Sequence, residues 1–154
     1  MKNLFVLDEC TVLSASKLKN EKDEIDFSTS YLIHSIAYNC HKILITQTIY
    51  QKYLQKFSQL SRYKNVHINN AFIHLLNQLM VNSEKIIWES DAVVEFPPKS
   101  FDPDDYPYVS LASKRHAILV TSDNKLICNL NDSSITKAYN FQAKRPENAI
   151  NDAM

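Results

Sequence analysis

Acidic residues stand next to the most apolar segments of this chain. Asp8 directly follows the run LFVL at residues 4–7, and Asp123 comes two positions after the run AILVT at residues 117–121. Three further acids precede a predicted helix in a proline-bounded loop, namely Asp102, Asp104 and Asp105. The carboxyl ends of parallel strands meet at one edge of a sheet, so these side chains can converge there.

Clustered carboxylates repel one another, and their pKa values rise unless a cation neutralises them. A hard divalent ion such as Mg²⁺ or Mn²⁺ does so with oxygen ligands and retained waters. In a phosphodiester reaction such an ion would activate water and stabilise charge on the phosphate oxygens. Helix capping is the alternative interpretation, and it applies to Asp123, Asp104 and Asp105 because each stands where a helix is predicted to begin.

Other site chemistries find little support. The chain has no glycine, which excludes the GxGxxG and P-loop phosphate cradles, and helix ends must then rely on Asn, Asp, Ser and Pro. Cys10, Cys40 and Cys128 form no CxxC pair, so we expect reduced, mostly buried thiols. The five histidines form no metal-binding pair, and no Ser-His-Asp pattern is recognisable. A phosphatase using Asp8 would want a second Asp at position 10, where Cys10 stands.

Short apolar runs alternate with segments of helical periodicity. Four runs have strand length: residues 4–7, 42–46, 86–88 and 117–121. Helical spacing occurs at residues 31–37, 49–57, about 69–79, 108–114 and 124–129. Residues 10–19 are ambiguous, 17–26 read as an exposed loop, and most of 96–107 is predicted to be irregular. This order predicts a three-layer α/β/α fold with a central, mainly parallel sheet.

The bulk properties suit one globular domain. The 154 residues predict a single domain over residues 1–145, followed by a frayed polar tail at 146–154. Lys+Arg and Asp+Glu both number 17, which argues against a strongly basic nucleic-acid binder but leaves room for a local basic groove. No apolar run approaches the length of a membrane span, so we expect a cytoplasmic protein without membrane contact.

The sequence around these acids resembles the PIN-domain nucleases, including the VapC-type toxins. LFVLDECTVLSA at residues 4–15 is similar to the opening strand and first acid of that family. DPDDYPYVSLAS at residues 102–113, followed by AILVTSDNKLI at 117–127, resembles its helix-opening acid, strand and Thr-x-Asp-x-x-Leu motif. The resemblance implies a PIN-like fold and assigns Asp8, Asp105 and Asp123 as catalytic metal ligands. It also implies Asp104 as a further ligand and Thr121 and Asp102 as supporting residues, and Asp104 or Asp102 could substitute for Asp105 because the three are close in sequence.

One position departs from the family pattern. PIN domains usually carry a Glu on the helix after the second strand, but here Lys52 stands at that position, with Gln51 beside it. A cation there repels a metal ion, and the amide of Gln51 is a weaker ligand for Mg²⁺ than a carboxylate. Glu9 offers a replacement carboxylate, although strand alternation turns it away from Asp8 if the first strand continues.

The resemblance implies a metal-dependent endoribonuclease that uses Mg²⁺ or Mn²⁺. It further suggests the toxin of a toxin–antitoxin pair, with a small antitoxin protein as partner and a homodimer as assembly. The alternative is a catalytically impaired PIN-like module that binds RNA or a protein. Lys52 and Lys56 are the candidate RNA-binding residues, in a basic run that continues to Arg62 and Lys64.

Overall fold

The computed structural model describes residues 2–20, 22–62 and 77–154. Within them, five strands form a single sheet in which every neighbouring pair is parallel, in the order β3-β2-β1-β4-β5. The strands are β1 (Leu4–Leu7), β2 (Lys42–Thr46), β3 (Ile86–Glu89), β4 (Ile118–Val120) and β5 (Gln142–Lys144). No described helix is long and apolar enough to cross a membrane.

Helices cover the sheet and complete the predicted three-layer α/β/α arrangement, which the structure confirms. They are α1 (Glu9–Lys17), α2 (Ser28–Tyr38), α3 (Gln47–Ser61), α4 (Tyr106–Arg115), α5 (Asn124–Asp132), α6 (Ile135–Ala138) and α7 (Pro146–Ala153). A 3₁₀ turn at Pro103–Asp105 precedes α4, and residues 77–80 are also helical.

The central strands are buried on both faces, which explains their continuous apolar sequences. Phe5, Val6, Leu44 and Leu119 are each 0% exposed. β1 lies in the middle, with β2 on one side and β4 on the other, so the sheet is built outward in both directions from β1. Such a switch point opens a crevice outside the carboxyl ends of the two strands, here the ends of β1 and β4.

Two elements differ from the sequence predictions. Residues 10–19, left ambiguous above, lie mostly in helix α1, because β1 stops at Leu7 and the Asp8 side chain caps the new helix. The tail at 146–154 was predicted to be frayed, and this is wrong: residues 146–153 form α7. Ala149 and Ala153 of that helix are fully buried, and it packs against α2.

Two expectations about residue types also need correction. Cys10, Cys40 and Cys128 are exposed, because they occupy outward positions on α1, on the turn before β2 and on α5. Without glycine, Leu18 and His116 take the left-handed conformation at the ends of α1 and α4, with φ of 56° and 51°. Helix ends therefore do not rely on Asn, Asp, Ser and Pro alone.

Some predictions fall outside the described residues. The predicted helix at about 69–79 does so except for its last turn, where Leu79 is buried. Lys64 of the basic run lies in the same undescribed stretch. β5 was not predicted, because QAK lies at the edge of the sheet and carries no apolar run.

Candidate acidic site at the carboxyl edge of the sheet

Asp8 is buried at the end of β1, where it both caps a helix and carries a perturbed carboxyl. Its Oδ1 accepts a hydrogen bond from the backbone N–H of Thr11 at 2.6 Å, and the residue is 4% exposed. Its own N–H donates to the carbonyl of Val120, which ties β1 to the end of β4. Burial raises the pKa of the Asp8 carboxyl to about 6, against the opposing effect of hydrogen bonds from Thr121 and Thr11.

Asp123 stands on the neighbouring strand end and caps α5. Its Oδ1 accepts from the N–H groups of Lys125 and Leu126 at 2.8 and 3.1 Å. The capping interpretation of Asp123 is therefore confirmed, yet a cap uses only one oxygen and leaves the negative charge at the exposed rim. Thr121 is fully buried, and its hydroxyl accepts from the Asp123 N–H at 3.0 Å, which joins Asp8 and Asp123 through one side chain.

Arg145 fixes the loop that carries Asp123. Its guanidinium donates to the carbonyl of Ser122 at 3.0 Å and to the side-chain oxygen of Asn124 at 2.8 Å, on either side of the acid. Its Nε also bonds Glu147 at 2.6 Å. This brace was not foreseen, because Arg145 lies 22 positions from Asp123 and reaches it only through the pairing of β4 with β5.

Asp105 differs from the other two acids because it caps nothing. It occupies the N-cap position of α4, but its half-buried carboxylate makes no capping hydrogen bond. The 3₁₀ turn before it is capped instead by Asp102, whose Oδ1 accepts from the N–H of Asp104 at 2.9 Å. Burial and the neighbouring charges of Asp123, Asp8 and Asp102 raise the pKa of the Asp105 carboxyl to about 6. The capping interpretation therefore fails for this residue.

The acids border an open cleft of about 670 Å³ between the 3₁₀ turn and the start of α5. Asp102, Asp104, Asp105 and Asp123 line it, whereas Asp8 is buried, does not line the cleft, and contributes its charge to the raised pKa of Asp105. Lys99 and Lys125 also line the cleft. Four of the five predicted acids thus line one cleft, with Asp104 exposed at its rim, and Asp8 does not line it.

These donors fit a divalent cation only in part. Carboxylate oxygens are the ligands that Mg²⁺ and Mn²⁺ prefer, and the mutual repulsion at Asp105 is what a cation would relieve. Among the described residues, however, no three His, Cys, Asp or Glu side chains stand close enough together to form a metal cage. The geometry therefore fits an ion held by one or two carboxylates, with water and substrate oxygens completing its coordination.

Comparison with solved structures identifies the fold. A PilT N-terminus domain protein from the hyperthermophilic archaeon Sulfolobus solfataricus P2 superposes with a TM-score of 0.50 and 16% identity, over 98% of this chain and 93% of that one. The chain has a PIN-like fold. No protein-family model and no curated protein matches the sequence. At this identity the likeness concerns the fold alone.

In this PIN-like fold the helix after the second strand presents a tyrosine to the acids. Tyr53 of α3 is buried, and its hydroxyl donates to the carbonyl of Leu7, one residue before Asp8. Burial and the charge of Asp8 raise the Tyr53 pKa well above its usual value. Lys52, which the sequence resemblance aligned with the Glu of PIN domains, is half-buried, and Gln51 is exposed.

Lys56, one turn after Lys52, lies near the first turn of α1. Desolvation at the first turn of α1 and the charges of Asp8 and Glu9 raise the pKa of the Cys10 thiol to about 11, and the ammonium of Lys56 acts in the opposite direction. The thiol is therefore protonated at neutral pH. Of the two predicted RNA-binding lysines, Lys56 is therefore close enough to the first turn of α1 for its charge to lower the pKa of Cys10.

The Glu9 side chain was expected to point away from Asp8 if the first strand continued through it. That condition does not hold, because β1 ends at Leu7. Glu9 opens α1, and its charge contributes to the raised pKa values of Asp8, Asp105 and Tyr108. Tyr108 of α4 is fully buried, and burial and a hydrogen bond with the Glu9 side chain raise the pKa of its hydroxyl. The sequence signal for this contribution was Glu9 itself, directly after Asp8. It was set aside because a first strand continuing through Glu9 would turn the Glu9 side chain away from Asp8.

Proposed function

We propose that this chain is a metal-dependent endoribonuclease of the PIN type. One observation carries the proposal: Asp105 keeps an uncapped, half-buried carboxylate beside the cleft, and burial together with acids from two other segments of the chain raises its pKa. A carboxylate held only for structure would be satisfied by a cap or an ion pair. Here the fold instead concentrates negative charge beside an open cleft, which is the arrangement that a cation and a phosphodiester would use together.

Each residue has a defined part in this proposal. Asp105 and Asp123 would hold Mg²⁺ or Mn²⁺ from the cleft wall, and Asp8 would complete the acidic field from behind. Thr121 orients Asp8 and Asp123, and Asp102 and Asp104 would support the site from the 3₁₀ turn. The bound ion would supply an activated water and stabilise charge on the phosphate oxygens. Lys52 and Lys56 would contact the RNA backbone from α3.

A second function follows from the missing acid. Lys52 occupies the place of the usual Glu, and the described residues contain no three-ligand group. Both observations favour a catalytically impaired PIN-like module that binds RNA or a protein partner through the same cleft. Loss of one ligand weakens metal affinity without abolishing it, because substrate oxygens can complete the shell. We therefore place the nuclease first.

The biological role that fits this activity is the toxin of a toxin–antitoxin pair in the cytoplasm. A small antitoxin protein would then bind the chain, and the active form would be a homodimer. Co-expression with the product of an adjacent small gene tests the partner: formation of a complex that suppresses RNA cleavage supports the toxin role. Undiminished cleavage in the presence of that product argues against it.

RNA cleavage tests the proposed activity. A labelled single-stranded RNA is incubated with Mn²⁺ and wild type, Asp105→Asn, Asp123→Asn, or the matched control Asp132→Asn, which changes an exposed acid at the far end of α5. We expect the two site variants to lose at least about a hundredfold in rate, since metal-assisted charge stabilisation is worth several kcal/mol, and the control to match wild type. Metal-dependent cleavage that survives both site substitutions would refute the assignment. A wild type that binds RNA without cleaving it supports the impaired module.

A further inference from the structure

A second cavity adjoins the acidic cleft. It has a volume of about 330 Å³ and is formed by the proline-rich segment at residues 96–106. We define this aromatic pocket by Phe96, Lys99, Phe101, Pro103 and Tyr106. Lys99, Phe101 and Pro103 also line the acidic cleft, so the two cavities share a wall. A ligand in the acidic cleft therefore lies next to the aromatic pocket, with only these shared residues between the two cavities.

The aromatic rings of this region contact one another at steep angles. Phe96 contacts Phe101 edge-to-face, with ring centroids 5.2 Å apart at 73°, and it contacts Tyr106 at 6.0 Å and 79°. On another side it packs against Tyr139 at 4.8 Å and 58°. None of these contacts is a parallel stack. Phe101 and Tyr106 are partly buried and line the pocket, so a planar aromatic group that enters it meets their rings and can stack on one of them.

Hydrogen bonds fix this wall before any ligand arrives. The hydroxyl of Tyr106 accepts from the N–H of Val94 at 2.8 Å and donates to the Val94 carbonyl at 2.9 Å. The hydroxyl of Tyr139 donates to the carbonyl of Glu95 at 2.7 Å. These three bonds hold the segment before Phe96 against Tyr106 and Tyr139. A ligand therefore loses little binding energy to ordering the pocket.

The charges at the shared wall indicate what kind of ligand spans both cavities. Lys99 is exposed on the rim that the two cavities share, and Lys125 stands in the acidic cleft. The ligand must suit the lysines, the proposed cation and the aromatic residues of the pocket. A polyanion with flat aromatic groups does so, because its phosphates can lie beside the lysines and the cation while a ring lies against the aromatic residues. An apolar peptide would fill the pocket but would gain nothing from Lys99.

We infer that the aromatic pocket holds a nucleobase of the same strand whose phosphodiester lies in the acidic cleft, with Phe101 as the stacking residue at the shared wall. The inference rests on the proposed nuclease function and extends it to a substrate: a single strand with an unpaired base next to the bound phosphate. Base–aromatic stacking tolerates any base, so the pocket selects unpaired structure rather than a particular sequence.

The test compares two oligomers of equal length and charge, a hexauridylate and its analogue with abasic riboses. Binding is measured by fluorescence anisotropy with Ca²⁺ in place of Mn²⁺. Wild type is expected to prefer the base-containing oligomer on the order of tenfold, the scale of one stacked base. Phe101→Leu, which keeps apolar packing against Phe96 but has no ring, should lose this preference and keep its affinity for the abasic oligomer. Tyr38→Ala, which removes an exposed ring on α2, is the matched control and should behave as wild type.

The outcomes separate the two proposals. Equal affinity of wild type for both oligomers overturns the base pocket, and RNA cleavage under Mn²⁺ would then leave the nuclease standing. If wild type prefers the base-containing oligomer and Phe101→Leu does not, the result supports the aromatic pocket. If the same wild type cleaves no RNA, only the nuclease proposal fails. A preference that persists in a folded Phe101→Leu, verified by its unfolding transition, shows that the base lies elsewhere and overturns the inference.

Discussion

At the residue scale, the acids of this site differ in whether a carboxylate oxygen accepts hydrogen bonds from the N–H groups at the start of a helix. Asp8 and Asp123 each satisfy helix N–H groups with one oxygen, so they are structural and electrostatic at once. Asp105 makes no cap, and its charge is both half-buried and repelled by its neighbours. Substitutions at these positions should therefore separate capping from charge, because Asn preserves the first and removes the second.

Asp105→Asn is expected to stabilise the protein, and by more at neutral than at acidic pH. The folded-state pKa of about 6 lies above the usual value of 3.8, so ionisation opposes folding. That cost is absent below about pH 4, develops as the pH rises through 6, and is complete above it. A shift of this size is worth roughly 3 kcal/mol, which partial solvent exposure reduces to about 1–2 kcal/mol.

Urea denaturation without divalent ions, at about pH 7.5 and about pH 4.5, measures the Asp105 effect, with Asp132→Asn as control. The control should show no pH-dependent gain in stability. An equal change in the free energy of unfolding for Asp105→Asn at both pH values would contradict the raised pKa of Asp105.

Asp123→Ala should cost about 1 kcal/mol of stability relative to Asp123→Asn, because only alanine removes the acceptor for the two N–H groups at the start of α5. Thermal unfolding of the two variants, side by side, measures the difference. Both should lose RNA cleavage, since both remove the charge. If the two variants unfold at the same temperature, Asp123 does not act as a cap in solution.

At the element scale, the site depends on loops braced by parts of the chain far away in sequence. Arg145, just after β5, holds both sides of the Asp123 loop, and α7 begins at the next residue. Two asparagines bond the last turn of α7: the amide of Asn3 donates to the Asp152 carbonyl at 2.8 Å, and Asn39 donates to the carbonyl of Ala153 at 2.7 Å. The C-terminal helix is thereby fixed to the start of β1 and the end of α2.

A chain that ends at residue 145 should lose about 2–4 kcal/mol of stability, because it forfeits these two hydrogen bonds and the burial of Ala149 and Ala153. Chemical denaturation of the shortened and full-length chains measures the loss. A substitution of the exposed Asn151 to Ala serves as the control and should leave stability within about 0.5 kcal/mol. An unchanged midpoint on truncation would show that α7 is not docked.

An element can be predicted from the sequence when its own residues form a recognisable pattern of apolar and polar side chains. β1, β2 and β4 are buried on both faces, so they carry continuous apolar runs that are recognisable without tertiary context. β5 is an edge strand and α7 buries only small side chains, so neither stands out from a polar background. The positions of Asp8 and Asp123 followed from strand ends, whereas the Arg145 brace and the aromatic pocket arise from loop geometry that no local pattern encodes.

At the scale of the whole molecule, a chain of zero net charge has a cluster of aspartates at one cleft. Lys+Arg and Asp+Glu balance over the sequence, yet Asp102, Asp104, Asp105 and Asp123 line a single cleft between the 3₁₀ turn and the start of α5. The parallel pairing of β1 with β4 contributes to this cluster, since it brings Asp8 and the Asp123 loop to the same edge of the sheet. Such a cleft repels a nucleic acid unless a cation is bound there, so metal binding is the property on which the proposed function depends.

Direct measurement of Mn²⁺ binding by electron paramagnetic resonance, at about pH 7.5 and without RNA, tests that property. The account predicts about one weakly bound ion per wild-type chain, an affinity at least about tenfold lower in Asp105→Asn, and no change in Asp132→Asn. A wild type that leaves the Mn²⁺ spectrum unaltered, or an Asp105→Asn variant that binds as wild type does, would contradict the claim that these aspartates form a metal site.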